Sequence, residues 1–256
     1  MTENEAQSLL RGDFGRELLR TMMRYATSIA WGKFDNSKWQ VMNAGTAFIL
    51  DCGQGPFLVT AAHVYEGYLE AKRSSSILRC QLGQTEFDLE ARLICSLGSK
   101  TLDIATFKIE ADEIATLGKM IVSDGKDWPP KDVTPSDGIF FGGFPGKERK
   151  QINFETINFG IYAALTPVSS SSERQFGCTL DPDEWIDTTG HGIPAEGYDL
   201  GGISGAPAFA VQDSAAGVFS WRFTGVVHSA TNNIGAIVLI HHARFIRSDG
   251  SLLAPD

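Results

Sequence analysis

At 256 residues the chain is long enough for one large or two small domains, and its 43% hydrophobic and 21% charged residues are those of an ordinary globular protein. A formal net charge of -9 argues against nucleic acid as the main partner, because phosphate binding runs on clustered Lys and Arg. No window approaches the roughly 18 to 20 apolar residues that span a bilayer, and residues 1 to 8 lack the basic and apolar segments of a secretory signal, so a cytoplasmic protein without membrane or nucleic-acid partners is expected.

Along the chain, residues 4 to 30 carry Leu9, Leu10, Leu18, Leu19, Met22, Met23 and Tyr25 at three- and four-residue steps, broken at Gly12 and Gly15. This predicts a short and then a longer helix whose apolar stripe docks on the body of the protein or on a regulatory protein partner. From residue 38 onward, β-branched and aromatic runs bounded by Gly, Pro, Asn and Asp predict strands at 39–50, 56–60, 76–83, 86–96, 104–110, 138–143, 151–165, 207–212, 219–229 and 234–240. Strands at that density, with almost no helix between them, indicate an all-β barrel or sandwich. Residues 121 to 137, with Trp128-Pro129-Pro130, read as a linker between two β halves, and 168 to 200, which opens on a serine run, as a functional loop region. The expected division is a helical extension over 1–37, a first β half over 38–122, a linker over 123–137 and a second β half over 138–256. Cysteines 52, 80, 95 and 178 show no metal-ligand spacing, so reduced thiols are expected, with a Cys80–Cys95 link across a hairpin as the alternative. Ala243 to Ile246 begins a short helix or turn after the last strand.

Three segments bear chemistry. Thr60-Ala61-Ala62-His63 puts a histidine on a small-residue turn after a strand; Asp103-Ile104-Ala105 starts an apolar strand with an aspartate; Gly201-Gly202-Ile203-Ser204-Gly205-Ala206-Pro207 sets a serine in a glycine turn. An alcohol is a poor nucleophile until a histidine takes its proton, and that histidine needs a carboxylate to hold its tautomer. The order His, Asp, Ser is one of the three known triad orders. The α/β-hydrolase elbow is excluded because Ala206 stands where its second glycine belongs and βα alternation is absent.

In these three motifs the chain resembles the trypsin/chymotrypsin-like serine peptidase superfamily, over residues 40 to 240. The resemblance implies two six-stranded antiparallel β-barrels with the active site between them, His63 and Asp103 from the first and Ser204 from the second. It implies an oxyanion hole from the N–H groups of Gly202 and Ser204, a polypeptide substrate, and no cofactor or metal. The chain departs from secreted relatives at Val64, where they often carry a cystine, and at Ile203, where they carry the aspartate that pairs with a new amino terminus; an uncleaved chain that is already competent is therefore expected.

Tyr198, Asp199, His228 and Ser229 fall where the family builds its specificity pocket. His228 points to Glu or Gln selectivity, Tyr198 to small residues and Asp199 to basic ones, and packing of His228 at a strand end is the alternative. His191 reads as a loop residue. His241 and His242, adjacent on a strand, face opposite ways and make a poor metal chelate. The rival to a peptidase is the same fold as a silent or partner-gated regulatory module.

Overall fold

The computed structural model describes residues 8, 10–35, 38–75, 78–98, 100–123, 128–152, 157–181, 197–213, 219–231 and 236–255. In α1 (Asp13–Tyr25), Phe14, Leu18 and Met22 recur at four-residue steps and turn one face inward, while Asp13 pairs with Arg16 and Glu17 with Arg20 and Arg24 on the other. Leu18 and Met22 join one apolar cluster with Phe140, Phe209 and Phe223. Burying each such side chain contributes roughly 1.5 to 3 kcal/mol. These two residues are therefore committed to the body of the protein, whereas Met23 is exposed.

The helix expected through residue 30 stops at Tyr25, and Ala26–Asp35 is instead a strand, β1. Residues 26 to 32 are buried one after another, so the stretch lacks the polar alternation that marks a half-exposed strand, and its Ala, Ile and Trp read as more helix. β1 pairs with β2 (Lys38–Asp51) and β4 (Leu78–Leu82). With β3 (Pro56–Thr60), β5 (Thr85–Glu86), β6 (Leu93–Leu97), β7 (Ile104–Lys108) and β8 (Val122–Ser123) they make an eight-stranded sheet in the order β5-β4-β1-β2-β3-β7-β6, with β8 parallel beside β2. Closure of this half into the six-stranded barrel expected is not seen among the described residues, where β5 and β6 end the order and are not paired to each other.

The second half does close. β9 (Gly138–Gly143), β12 (Tyr162–Ser171), β13 (Gln175–Leu180), β16 (Ala236–His242), β15 (Phe219–Thr231) and β14 (Pro207–Asp213) form a closed barrel in that order. β10 (Arg149–Gln151) and β11 (Ile157–Phe159) form a separate hairpin. The strand expected at 151–165 is thus three pieces, and the loop region expected at 168–200 holds the end of β12 and all of β13. His191 lies outside the described residues.

Three short helices interrupt the strands. The strand expected at 86–96 is broken by α3 (Leu89–Arg92), because the Asp88 carboxylate accepts the N–H groups of Glu90 and Ala91 and so caps a turn of helix. α2 (Ala62–Ser74) follows β3 directly, and α4 (Ala111–Leu117) follows β7 through a reciprocal cap between Glu110 and Glu113. The four cysteines are free thiols. Cys80 on β4 and Cys95 on β6 stand near opposite ends of the sheet, which rules out the hairpin link. The 3-10 turn Ala243–Phe245 ends the last strand as expected.

Phe48, Leu50, Val59 and Ile104 of the sheet share one apolar cluster with Phe140, Phe209, Phe223 and Val226 of the barrel. Phe48 and Phe223 meet with ring centroids 5.2 Å apart. That common core sets the two halves against each other and leaves a cleft between them.

Candidate active site

β3 ends at Thr60 and α2 begins at Ala62, so His63 occupies the first helical turn, and the fully buried Ala61 and Ala62 give the chain room to change direction. The His63 backbone N–H, an orphan donor of the helix start, donates to Asp103 Oδ1 at 2.8 Å. The ring Nδ1–H donates to Asp103 Oδ2 at 2.8 Å. One carboxylate thus grips both backbone and ring, which places the proton on Nδ1 and leaves Nε2 as an acceptor.

Asp103 stands one residue before β7 with φ 46, a left-handed conformation that Asp tolerates because its short polar side chain bonds locally. Its N–H and those of Thr101 and Leu102 converge on the Gly98 carbonyl. Burial would push the carboxyl up, but the hydrogen bonds and charge of His63 outweigh it and hold Asp103 below the ordinary carboxylate value. The bond to Asp103, working against burial and helped by the charges of Asp103 and Glu66, lifts His63 above its ordinary 6.5.

Across the cleft, residues 200 to 206 form two consecutive turns, closed by Ile203 N–H to the Leu200 carbonyl at 3.1 Å and Ala206 N–H to the Ile203 carbonyl at 3.0 Å. Gly205 N–H donates to the Val227 carbonyl, and Gly146 N–H to the Gly201 carbonyl, both at 2.7 Å. At Gly205, with φ 89, a Cβ would stand 2.1 Å from the Thr46 carbonyl oxygen, so only glycine fits. Within this bonded loop the Gly202 and Ser204 N–H groups have no acceptor among the described residues. Two unpaired amides beside one hydroxyl are suited to a developing anion. The Ser204 hydroxyl donates to the His228 carbonyl at 3.3 Å rather than to His63.

His63, Asp103 and Ser204 line one cleft of about 410 Å³ with Leu200, Gly201, His228, Ser229, Ala230 and Leu239. The structure thus brings the three residues of the expected triad together, and His228 and Ser229 with them. His228 is the extra residue of a β-bulge between β15 and β16, which re-aims its side chain. Its Nε2–H donates to Gln175 Oε1 at 3.0 Å, its ring stacks on His241 at 3.8 Å, and its Nδ1 lies 3.9 Å from Asp103 Oδ2. Burial, and then the neighbouring His241, push His228 down to about 3, so it is neutral at pH 7.

Tyr198 and Asp199 do not line the cleft. The Tyr198 hydroxyl donates to Glu148 Oε1 at 2.7 Å and its ring stacks on Tyr162, while Asp199 Oδ1 accepts the Gly201 N–H at 2.8 Å. His242 faces away from His241, its Nε2–H donating to the Ser172 carbonyl at 2.9 Å. Sequence reasoning missed Gln175, Leu200, Ala230 and Leu239. They carry no motif: strand pairing brings Ala230 and Leu239 to the cleft, the turn before Ser204 brings Leu200, and Gln175 acts through its bond to His228.

No family model matches the sequence, and no curated protein does. Among solved structures, the chain is similar to the serine protease domain of the Sesbania mosaic virus polyprotein, with 16% identity over 84% of this chain and 87% of that one and a TM-score of 0.40. It is similar to the thermostable serine protease AL20 from an extremophilic microorganism, with 11% identity, coverage of 87% and 92% and a TM-score of 0.47. It is also similar to Deg5, with 16% identity, coverage of 93% and 90% and a TM-score of 0.45.

Proposed function

We propose that the chain is a serine endopeptidase that hydrolyses peptide bonds through an acyl-enzyme at Ser204. The observation that carries this is the double grip of Asp103 on His63, which faces Ser204 in one cleft. Rotation of the Ser204 hydroxyl from the His228 carbonyl toward His63 Nε2 readies it for attack. His63 takes the proton as the oxygen bonds to the scissile carbonyl, the Gly202 and Ser204 N–H groups receive the oxyanion, and His63 returns the proton to the leaving amine. Water activated by His63 then releases the acyl group.

Beyond Val226, β15 is no longer paired in register with β14, and Ser229 and Ala230 pair with β16 alone. A substrate strand can add along the open side and present its side chain to Leu200, Ala230 and Leu239, which supports a preference for apolar residues. Ile203, fully buried next to the nucleophile, offers no carboxylate to a new amino terminus, and this supports a chain that is competent without cleavage.

Peptidyl phosphonate probes differing only in the side chain beside phosphorus test the whole reading. The wild type should gain the mass of one probe less its leaving alcohol on the intact chain, fastest with Leu or Phe and slower with Lys or Glu, and Ser204→Ala should gain none. A wild type that no probe labels ends the proposal. A partner-gated module is the second reading, favoured by the bond of the Ser204 hydroxyl to His228 instead of His63. It requires that the isolated chain stay unlabelled until a partner is added.

A further inference from the structure

Thr46 lies on β2, in the sheet half of the molecule, and is fully buried. Its backbone N–H donates to the Ser204 carbonyl at 3.0 Å, and its hydroxyl donates to the Gly202 carbonyl at 2.8 Å. The direction of that hydroxyl is set, because Oγ1 also accepts the Phe144 N–H at 2.9 Å and so has its one proton left for Gly202. The Thr46 carbonyl accepts the Thr60 hydroxyl at 2.6 Å, which holds this contact from behind.

The two residues whose carbonyls Thr46 binds are the two whose N–H groups have no acceptor among the described residues, and each peptide that carries such an N–H adjoins one that Thr46 binds. Gly202, at φ 107 and without a Cβ, has little intrinsic barrier to turning its flanking peptides. One flanking peptide is tied by the bond from Gly146 to the Gly201 carbonyl, and the other by Thr46. Without the Thr46 hydroxyl the second peptide is held only by the Ile203 N–H bond to the Leu200 carbonyl, and the part-buried Gly202 carbonyl and the buried Phe144 N–H lose their partner.

We propose that Thr46 is a positioning residue of the sheet half that braces the serine loop carrying the two amide donors, so that the oxyanion hole depends on both halves of the molecule. The inference rests on the acyl-transfer reading above. On the full chain, single-turnover acylation by a p-nitrophenyl ester, read as released p-nitrophenol, and steady-state hydrolysis of a peptide ester are measured for wild type, Thr46→Val and Thr46→Ser. Thr46→Val should slow acylation and kcat about 10- to 100-fold with KM within about threefold, and Thr46→Ser should recover most of the rate. If Thr46→Val does not fold, Thr46→Cys, a poor donor of similar volume, takes its place against Thr46→Ser. Wild-type rates in a folded Thr46→Val or Thr46→Cys overturn the inference while the acyl-transfer reading stands. An equal loss in Thr46→Ser overturns it too, because that marks packing rather than the hydroxyl. A wild type that is not acylated removes the reading and the inference together.

Discussion

On the sheet side of the cleft, His63 is held by side-chain chemistry: one carboxylate binds its ring and its backbone, and each group shifts the other's proton affinity. On the barrel side, Ser204 is held by main-chain bonds and by glycines whose missing side chains leave room for neighbouring carbonyls. The base can therefore be lost by changing one atom, with the fold intact. The nucleophile's loop tolerates no added atom at Gly205.

The largest effect should follow from Asp103→Asn. It keeps the shape but unsettles the tautomer of His63, and turnover should fall on the order of 10⁴-fold with the thermal midpoint little changed. A loss under tenfold would mean that the carboxylate does not orient the base. Gly205→Ala should break the other side through the fold. Positive φ and a clash with the Thr46 carbonyl together cost roughly 3 kcal/mol or more, read as a fall in the denaturant midpoint, and a midpoint equal to wild type would contradict the packing described.

The smallest effect is a pH slope. Burial pushes His228 down to about 3 and His241 to about 4, so both are neutral in the folded chain and take up protons on unfolding in mild acid. Their contribution is complete above the ordinary 6.5 and is lost as pH falls toward 4, at up to about 1.4 kcal/mol per pH unit for each group. His63 runs the opposite way: its pKa is raised, so its contribution is present below 6.5 and fades as pH rises through the folded value. Denaturant curves at several pH values between 6.5 and 4 should show a shallower decline for His241→Phe than for wild type, and parallel declines would count against buried neutral histidines.

Each of His63, Asp103 and Ser204 was legible in the sequence because the motif around it is short and local: alanines where a strand turns into a helix, an aspartate at the head of a buried strand, glycines around a serine. β1 was not, because a strand buried on both faces looks like a helix when no polar residue marks its period. Nor were the roles of Thr46 and Gln175, whose bonds to Gly202 and His228 cross 156 and 53 residues of chain. The specificity expectations for Tyr198 and Asp199 rest on position alone, and a bond across 50 residues to Glu148 and a local one to Gly201 turn the two side chains to other work.

The sequence by itself determined which groups are available and which turns can present them, since propensity, glycine geometry and apolar patterning act over a few residues. Only the tertiary structure decided that β9 and β12 to β16 close into a barrel while β5 and β6 end the other sheet without pairing to each other among the described residues, and that His228 faces Asp103 and Gln175. It alone shows that a threonine of one half binds the serine loop of the other. The physical reason is that hydrogen-bond register and the packing of a shared core are collective, set by residues far apart in the chain, and no local window contains them.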